Sequence, residues 1–466
     1  MASTANGWPK CSHNRAAEHA RRSRDAADWM FTMSESMASK REPVVAIIGY
    51  GTGGVNAAIA LRTSGYQGTI TVFSNMGTLP YSPILTSYYA SGEKTLEQCF
   101  PWSAEELAEL SLDVHNDAEV VKLDVANHAI STAEGIFPYT KCVIATGSTP
   151  MCYGFPKVEG EGGYEPIVLR TLENAERLKG VLNDDSCERV LVSGASMVAL
   201  KTLEACLNCG KRVTLVGMNP HVLDFNALPE SAERFERGLL GYGVELRLGQ
   251  TIAAVKRIQR QEAVQNGRDW QLEVTFSNGD VDYFDEISVS HGMKSNLDFV
   301  EPGSLEIDRA LVVDEFMRTS DPDVYAAGDV VQALELISGQ KRIVGIWKNA
   351  AVQGACAGKA IAAELAGKKP SPGDAYKGSI SMNTIAVKDI LFISSGTMEI
   401  TPNRTLEIRE DDDMTVLYIF EETEGDDRRL VGFNLVCDHS DEGSPAYDTG
   451  AMLTLRIESK AAAKRA

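Results

Sequence analysis

The stretch that decides the fold is Val44-Val45-Ala46-Ile47-Ile48-Gly49-Tyr50-Gly51-Thr52-Gly53-Gly54-Val55-Asn56-Ala57-Ala58-Ile59-Ala60-Leu61. Residues 44–48 are apolar without a break, which is typical of a strand buried on both faces of a parallel sheet. Gly49, Gly51 and Gly54 follow with the spacing G-x-G-x-x-G, and apolar residues then continue at helical spacing. A second strand-like segment, residues 69–73, comes about one βαβ unit later. The sequence therefore predicts a strand, a tight turn and a helix in that order.

Each glycine of this turn has a physical role. Gly49 permits the tight turn, Gly51 allows a pyrophosphate to approach the backbone, and Gly54 allows the helix to pack closely on the strand. The N-terminus of the following helix offers unpaired N–H groups and the positive end of the helix dipole. We therefore predict that residues 49–54 bind a dinucleotide; the alternative is a tight turn that binds nothing.

The composition is that of an ordinary globular protein, with 44% hydrophobic and 24% charged residues. A chain of 466 residues is too long for one core, so two to four domains are expected. The 65 acidic residues exceed the 45 basic ones, and the net charge of −20 argues against nucleic acid or an anionic membrane as a partner. Nine scattered cysteines, with no secretion signal and no apolar run of membrane-spanning length, predict a cytoplasmic protein.

The pattern of the first unit begins again near Arg189. Residues 190–193 predict a buried strand, a helix is expected to continue to Leu207, and residues 211–216 predict the next strand. The chain therefore contains two nucleotide-domain-like halves.

Further elements are predicted on both sides of this repeat. Residues 1–42 are polar and are predicted to form a flexible tail, although Met37 is an equally acceptable start site. The predicted elements are strands at 120–123, 128–131, 139–145, 272–276, 283–290 and 323–327, helices at 103–110 and 350–365, and a separate C-terminal region of short strands from Tyr376.

Two further motifs add to the glycine turns: Ala145-Thr146-Gly147 at the end of a buried strand, and the strand Tyr325–Asp329, which ends on glycine and a carboxylate. With them, roughly residues 43–400 resemble the flavoprotein pyridine nucleotide-disulfide oxidoreductase family. The resemblance is closest to its branch of ferredoxin, rubredoxin and nitrite reductases and NADH oxidases. It implies an α/β protein with two Rossmann-like, three-layer domains of FAD- and NAD-binding type and a C-terminal α+β domain.

The resemblance also implies domain limits and a cofactor. The FAD-binding domain would be discontinuous, comprising 43–165 and 290–375, the NAD(P)-binding-like domain would span 166–289, and the C-terminal interface domain would span 376–466. By resemblance FAD would contact the first turn, the end of the second strand, the adenine-side strand, both later motifs and a tryptophan near the isoalloxazine. The residues are Gly49, Gly51, Thr52, Gly53, Gly54, Ser74, Asn75, Val120, Ala145, Thr146, Gly147, Gly328, Asp329 and Trp347.

The chain departs from the family pattern at the ends of both second strands. Ser74 and Asn75 stand where a carboxylate usually holds the adenosine ribose, so a neutral hydrogen bond is expected there. In the second turn, Gly194-Ala195-Ser196-Met197-Val198-Ala199, only the first glycine remains. The following strand ends at Gly217 and Met218, with no acidic residue for the ribose of NAD and no arginine for the 2′-phosphate of NADP. NAD(P)H is therefore a second cofactor that the sequence leaves open.

A third departure concerns the edge of the flavin. Many relatives place a lysine and a glutamate there, and the matching positions hold Ser87 and Lys201. Tyr81 and His291 are candidate acid–base groups, the latter in a Ser290-His291-Gly292 segment, and Lys348 is a candidate for stabilising negative charge near the flavin. Each of the three has a purely structural role as its alternative.

Other chemistry finds little support in the sequence. The first domain lacks the C-x4-C of the disulfide reductases, and Cys206 and Cys209 are expected to be buried structural thiols. The seven histidines show no metal-ligand spacing, so no metal is predicted.

The sequence therefore predicts an FAD-dependent oxidoreductase that passes hydride from NAD(P)H through the flavin to a small organic acceptor or a redox partner. One alternative is a flavoenzyme that no longer uses NAD(P)H and acts on an organic substrate directly, by oxidation or by redox-neutral elimination or cleavage. The other is a flavin-binding scaffold or sensor without turnover. We expect the protein to act on a small-molecule substrate and to form a homodimer.

Overall fold

A computed structural model describes residues 42–260, 268–410, 413–423, 428–438 and 444–463. The chain divides into two units, Met1–Pro43 and Val44–Ala466, and the described residues fall almost entirely in the second. The flexible tail predicted for residues 1–42, including Met37, lies outside the described residues except for Glu42.

The described residues form both strands and α-helices. The strands are β1 Val44–Ile48, β2 Thr69–Ser74, β3 Asp113–Asn116, β4 Val120–Asp124, β5 Ala129–Thr132, β6 Gly135–Pro138, β7 Lys141–Ile144, β8 Ser148–Pro150, β9 Arg189–Ser193, β10 Arg212–Gly217, β11 Glu245–Leu248, β12 Ile252–Gln259, β13 Trp270–Phe276, β14 Val281–Phe284, β15 Glu286–Val289, β16 Met293–Ser295, β17 Leu311–Val312, β18 Val324–Ala326, β19 Val331–Leu334, β20 Lys341–Arg342, β21 Met382–Val387, β22 Ile390–Gly396, β23 Arg404–Glu410, β24 Met414–Glu422 and β25 Arg428–Cys437. The helices are α1 Thr52–Thr63, α2 Thr86–Ala90, α3 Ala104–Glu109, α4 Leu172–Leu182, α5 Met197–Asn208, α6 Pro229–Gly241, α7 Trp347–Leu365 and α8 Pro445–Ala463.

The first sheet is parallel throughout and has the strand order β18-β7-β1-β2-β3. Strand β1 is central and its last four residues are buried, as its apolar run predicted. Because β18 comes from a much later part of the chain, this sheet is built from two separate segments. The carboxyl ends of its strands meet at one edge, where ligands bind in open α/β sheets.

The second sheet repeats this design with the order β11-β10-β9-β15, again all parallel. Its register is equivalent to that of the first sheet. Ile48 of β1 faces Phe73 of β2, and Ser193 of β9 faces Val216 of β10. The predicted repeat of a nucleotide-domain-like unit is therefore confirmed at the level of strand pairing.

Two predicted elements have different limits in the structure. The strand predicted at 283–290 is wrong, because the chain changes sheets within it: β14 pairs with β13, whereas β15 pairs with β9. Asp285 marks the change, and its carboxylate accepts from the backbone N–H groups of Glu188 and Arg189, each at 2.8 Å. The helix predicted from Ala350 begins three residues earlier, at Trp347.

The C-terminal region is an antiparallel sheet of order β21-β22-β25-β24-β23 with helix α8 beside it. This agrees with the predicted α+β character. Two short antiparallel sheets, β4-β5-β6 and β12-β13-β14, the antiparallel strand pair β8-β16 and the mixed sheet β17-β19-β20 make up the remaining strands. The domain limits themselves stay a prediction.

Helices α1 and α7 pack with almost no space between their backbones. A Cβ atom on Gly354 would lie 2.1 Å from the carbonyl oxygen of Gly53, and one on Gly358 would lie 2.4 Å from that of Ala57. Only glycine is compatible with so close an approach. This contact brings the start of α7 to the same edge of the first sheet as the start of α1.

Candidate functional site

The first glycine turn has the geometry that its sequence predicts. Gly49 has a φ of +106°, and a Cβ there would lie 2.3 Å from the carbonyl oxygen of Ala145. A Cβ on Gly54 would lie 2.1 Å from the carbonyl oxygen of Gly49, so helix and strand pack as closely as expected. Gly51 is different, because a Cβ there would meet nothing within 4 Å. The open face of the turn is therefore at Gly51.

The N-terminus of α1 adds donors to this open face. Gly51 is the N-cap residue and no side chain caps the helix. Thr52 is buried, and its hydroxyl accepts from the side chain of Asn56 at 3.2 Å instead of turning back to the helix end. The first N–H groups of the helix thus meet the conditions for binding an anionic group.

The Ala145-Thr146-Gly147 turn is held in place by Asn296. The Thr146 hydroxyl donates to the Asn296 carbonyl at 2.7 Å, and the Asn296 side-chain amide donates back to the Thr146 carbonyl at 3.0 Å. The Asn296 N–H also donates to the Gly147 carbonyl at 3.0 Å. Asn296 was missed from the sequence because its partner lies 150 residues away and no local pattern connects them.

Asp329 stands at the same edge, just beyond β18. Its Oδ2 accepts from the Ser148 hydroxyl at 2.7 Å and pairs with the Arg170 guanidinium at 3.1 Å. Its backbone carbonyl accepts from the Ser295 hydroxyl at 2.7 Å. The preceding Gly328 has a φ of +87°, a conformation that favours glycine. The chain continues into strand β19 and not into a helix, so Asp329 is not a helix N-cap.

Ser148 and Arg170 are site residues that sequence reasoning missed. Each is distant in the sequence from Asp329, so only the fold brings the three together. The one available signal is that Arg170 directly precedes Thr171, whose side chain forms a capping box at the start of α4. A cation at a helix start is not explained by the helix dipole and must serve another contact.

Trp347 begins helix α7 and stacks on Trp102, with ring centroids 6.0 Å apart and planes inclined by 29°. The segment before it passes Asp329, since a Cβ on Gly345 would lie 3.1 Å from Oδ1 of that residue. Lys348, the next residue, is exposed. Trp347 therefore follows, by two residues, a backbone position that contacts Asp329. The roles predicted for Trp347 and Lys348 stay predictions.

Tyr81 is buried beside the same network. Burial raises the pKa of its hydroxyl, and a hydrogen bond from the Leu172 backbone and the positive charge of Arg170 oppose this shift. The phenol is therefore protonated at neutral pH. An acid–base role for Tyr81 stays a prediction.

The residues predicted at the adenosine end differ in accessibility. Ser74 is buried and its hydroxyl accepts from the Met76 N–H at 3.2 Å, whereas Asn75 is exposed. Val120 begins strand β4 and is half-buried. Of the two neutral candidates for the ribose, Asn75 is the accessible one.

The second turn keeps the backbone shape of the first but not its open face. Gly194 has a φ of +112°, and its N–H donates to the Val216 carbonyl at 2.8 Å, just as Gly49 donates to Phe73. Ser196 is the N-cap of α5, and its own hydroxyl accepts from the Ala199 N–H at 3.4 Å. At the next strand end, a Cβ on Gly217 would lie 3.1 Å from Cβ of Ala195. The position that usually holds a ribose-binding carboxylate is therefore already crowded.

His291 and Lys201, both singled out in the sequence, are engaged by the protein itself. The imidazole of His291 contacts Ser193 and the Tyr153 carbonyl. The ammonium group of Lys201 donates to Glu204 Oε2 at 2.6 Å and to the Ala386 carbonyl at 3.0 Å. Lys201 therefore has a new carboxylate partner one helical turn away in place of the lost family pair.

Other reactive groups have unremarkable surroundings. Cys206 is buried as predicted, whereas Cys209 is only half-buried. Desolvation raises the pKa of both thiols, which keeps them protonated and unreactive at neutral pH. No group of three or more potential metal ligands occurs in the ranges that the structure covers. Within those ranges no helix is both long and apolar enough to cross a membrane.

Comparison with known proteins explains this arrangement. The family model of the pyridine nucleotide-disulphide oxidoreductases matches residues 43–354, two thirds of the chain. The chain belongs to this family. It is accordingly an FAD-dependent oxidoreductase.

Several relatives are similar over most of their length. The rubredoxin-NAD(+) reductase of Pseudomonas putida is 28% identical over 299 residues, which are 63% of this chain and 74% of the relative. The NADH oxidase of Methanocaldococcus jannaschii is 26% identical over 324 residues, 68% of this chain and 69% of the relative. Among solved structures, a NAD-dependent persulfide reductase from A. fulgidus has a TM-score of 0.75 at 22% identity, covering 89% of this chain and 76% of its own.

The described residues fit the FAD that the family implies. The open face at Gly51 and the uncapped helix start suit a pyrophosphate, and a carboxylate at a strand end suits a sugar hydroxyl. FAD, when bound, supplies the acceptance of hydride and its transfer onward as electrons. The residues of this chain would hold and orient the cofactor: the first turn would bind its phosphates, and Asp329 its ribityl chain.

Proposed function

We propose that this oxidoreductase takes hydride from NAD(P)H and passes the electrons to a small organic acceptor or a redox partner. The observation that carries the proposal is that two turns of the same backbone geometry lie at the carboxyl edges of two parallel sheets. The first turn fits FAD and the second is the corresponding position for a nicotinamide cofactor. Relatives named rubredoxin-NAD(+) reductase and NADH oxidase support the same donor.

The two parallel sheets support the predicted domain arrangement. The first sheet combines strands between 44 and 144 with β18, which supports an FAD-binding domain of 43–165 and 290–375. The second sheet supports an NAD(P)-binding-like domain of 166–289. The remaining residues, 376–466, would form the interface of a homodimer. Exposed Met452 and Leu455 on α8 support this, and light scattering of the purified protein tests it.

The nature of the acceptor divides the proposal into two candidates. A net charge of −20 favours a small organic acceptor, because an acidic protein partner would be repelled overall. One local observation favours a redox protein instead. Three exposed basic residues lie in the segment around Trp347 and form no ion pair within the described residues. They are Lys341, Arg342 and Lys348. Relatives such as the putidaredoxin reductase of Pseudomonas putida, 27% identical over 331 residues, bear names of redox-protein partners.

Two alternatives rest on the altered second turn. Ser196 at the helix start and the crowded Gly217 are both unfavourable for a dinucleotide, which favours a flavoenzyme that acts on an organic substrate without NAD(P)H. A flavin-binding scaffold without turnover is the remaining candidate.

Anaerobic stopped-flow spectroscopy of the full chain loaded with FAD separates these functions. Bleaching of the flavin absorbance by NADH or NADPH supports the main proposal. Bleaching only by an organic substrate supports the first alternative, and inertness to both supports the scaffold.

If NADH reduces the flavin, the salt dependence of the acceptor reaction separates the two acceptors. A rate that falls steeply between low and high salt indicates a charged protein partner, whereas a flat profile indicates a small molecule.

A further inference from the structure

The imidazole of His291 connects three segments that are far apart in the sequence. Its Nε2 lies 2.8 Å from the Ser193 hydroxyl, at the end of β9, and its Nδ1 lies 2.6 Å from the carbonyl oxygen of Tyr153, just beyond β8. His291 itself stands two residues before β16. One side chain therefore joins the end of a strand in the second sheet to both connections between the two parallel sheets.

The partners determine the protonation state of the ring. A backbone carbonyl can only accept, so Nδ1 must carry a hydrogen, and in the neutral ring Nε2 then accepts from the Ser193 hydroxyl. Ser193 is 3% exposed, so water is not available as a replacement partner. Protonation would give Nε2 a hydrogen, so the Ser193 hydroxyl could then only accept from the ring and its own hydrogen would need another acceptor. With both nitrogens engaged, the ring has no free position for acid–base chemistry on a substrate.

The segments that His291 joins set the position of the second turn. Strands β8 and β16 form an antiparallel pair between the two sheets, and the Met151 N–H extends it by donating to the Gly292 carbonyl at 2.9 Å. Ser193 directly precedes Gly194, and the Ser193 carbonyl accepts from the Ser290 N–H at 2.8 Å. The ring therefore connects the Gly194 turn to the β8-β16 pair, which lies in the two chain connections between the parallel sheets.

We propose that His291 is a positioning residue for the nicotinamide cofactor, which holds the Gly194 turn against the β8-β16 connection through Ser193 and Tyr153. This inference rests on the proposed use of NAD(P)H. Its consequence is that loss of the Ser193–His291 bond weakens cofactor binding while leaving hydride transfer at saturation almost unchanged.

The same geometry makes cofactor binding sensitive to acid. Burial lowers the pKa of His291 below its usual value, and the hydrogen bond to the Tyr153 carbonyl opposes this shift. Because the folded-state pKa is depressed, the neutral form and its bonds are complete at neutral pH and are lost only as the pH falls through this lowered pKa, below the ordinary range of an imidazole. The titratable groups on the packed segments are the Cys152 thiol, the Tyr153 phenol and the Lys294–Asp298 pair, and none of them bonds to the ring in the described structure.

The test uses the full-length holoenzyme and variants that remove the bond from either side, His291→Asn and Ser193→Ala. NADH is the probe (NADPH if only that reduces the wild type), and flavin bleaching is followed by stopped flow from pH 5 to 8. At pH 7.5 each variant is expected to raise the apparent Kd for the cofactor about three- to tenfold, the worth of one hydrogen bond. The limiting reduction rate is expected to change less than about twofold. The double variant is expected to be no weaker than either single one, because all three remove the same bond.

The pH profile supplies the readout that a merely structural role would not change. In the wild type the Kd is expected to rise as the pH falls, whereas in His291→Asn it is expected to stay flat. His128→Asn is the matched control, since His128 stacks on Tyr139 and bonds to neither Ser193 nor Tyr153; it is expected to behave as the wild type.

Three results would overturn the inference. They are an unchanged Kd in both single variants, a limiting rate that falls as much as the affinity, and a profile in His291→Asn that keeps the acid dependence of the wild type. In each case the proposed function stands as long as NADH or NADPH reduces the wild type. A wild type that neither reduces overturns both.

Discussion

At the scale of single residues, Asp329 shows how a site residue acquires its surroundings. The sequence marks it as a carboxylate that ends a buried strand, which is enough to predict a polar contact with a ligand. The structure adds an ion pair with Arg170 and a hydrogen bond from Ser148 to the same oxygen, Oδ2. Both contacts hold the carboxylate in one orientation. Oδ1 keeps the acceptor capacity that a sugar hydroxyl requires.

Substitution of Asp329 tests this arrangement. Asp329→Ala is expected to raise the Kd for FAD roughly 10- to 100-fold, because a hydrogen bond to a charged group contributes about 1.5–3 kcal/mol. The measurement is flavin released on dilution, followed by fluorescence. Asp298→Ala, at an exposed carboxylate paired with Lys294, is the control and should retain the wild-type Kd. Equal flavin retention by both variants would contradict the assignment.

At the scale of elements, the strand–turn–helix unit at residues 44–63 separates two uses of glycine. Gly54 is required by packing, since any Cβ would collide with the Gly49 carbonyl. Gly51 has an ordinary φ of −79° and open space beside it, so the fold itself does not require glycine there. A glycine that the fold does not require points to a ligand.

A pair of alanine variants distinguishes the two uses. Gly51→Ala is expected to fold with unchanged thermal stability of the apoprotein but to bind FAD at least about tenfold more weakly, because its methyl group occupies the approach to the turn. Gly54→Ala is expected to lower the free energy of unfolding by about 3 kcal/mol. Calorimetry and flavin titration on both variants provide the measurement. Weak FAD binding without loss of stability in Gly54→Ala would show that its packing role is misassigned.

The contact between α1 and α7 makes a second prediction about elements. Gly354→Ala is expected to destabilise the protein by about 1–3 kcal/mol, because its methyl group would overlap the Gly53 carbonyl 2.1 Å away. Gly180→Ala in helix α4 is the matched control. A Cβ there meets nothing within 4 Å, so this change should stabilise the protein by about 0.5–1 kcal/mol. Urea unfolding of the two variants gives both values; the same sign for both would contradict the close packing of the helices.

At the scale of the whole molecule, a buried ion pair links the second parallel sheet to the C-terminal sheet. Lys201 lies on α5, its partner Glu204 is 9% exposed, and the ammonium group also donates to the Ala386 carbonyl on β21. Burial raises the pKa of Glu204, and Lys201 opposes that shift. The Lys201 ammonium also lies 4.5 Å from the Tyr88 ring centroid. The position at which many relatives hold one of the flavin-edge residues therefore forms a structural contact in this chain, between α5 and the C-terminal sheet.

Removal of one partner tests this contact. Lys201→Met is expected to destabilise the protein by about 3 kcal/mol, because a buried carboxylate is left without its cation. The double variant Lys201→Met, Glu204→Met is expected to recover most of that loss, since it leaves no unpaired charge. Thermal unfolding of wild type, both single variants and the double variant completes the cycle. A double variant no more stable than Lys201→Met would contradict the pairing.

The sequence by itself determined the local parts of this protein: the first glycine turn, both βαβ units, the buried strands and the carboxylate at the end of β18. These follow from spacing along the chain, because hydrophobic period and glycine position act on neighbouring residues. Only the tertiary structure decided what those parts meet. Asn296 at the Thr146 turn, Arg170 at Asp329 and Ser193 at His291 are contacts between residues 98 to 159 positions apart, and no single-sequence pattern encodes them. The same limit explains why the single strand predicted at 283–290 is wrong. The chain changes sheets at Asp285, whose carboxylate binds the backbone about 96 residues earlier, and strand propensity does not predict such an interaction.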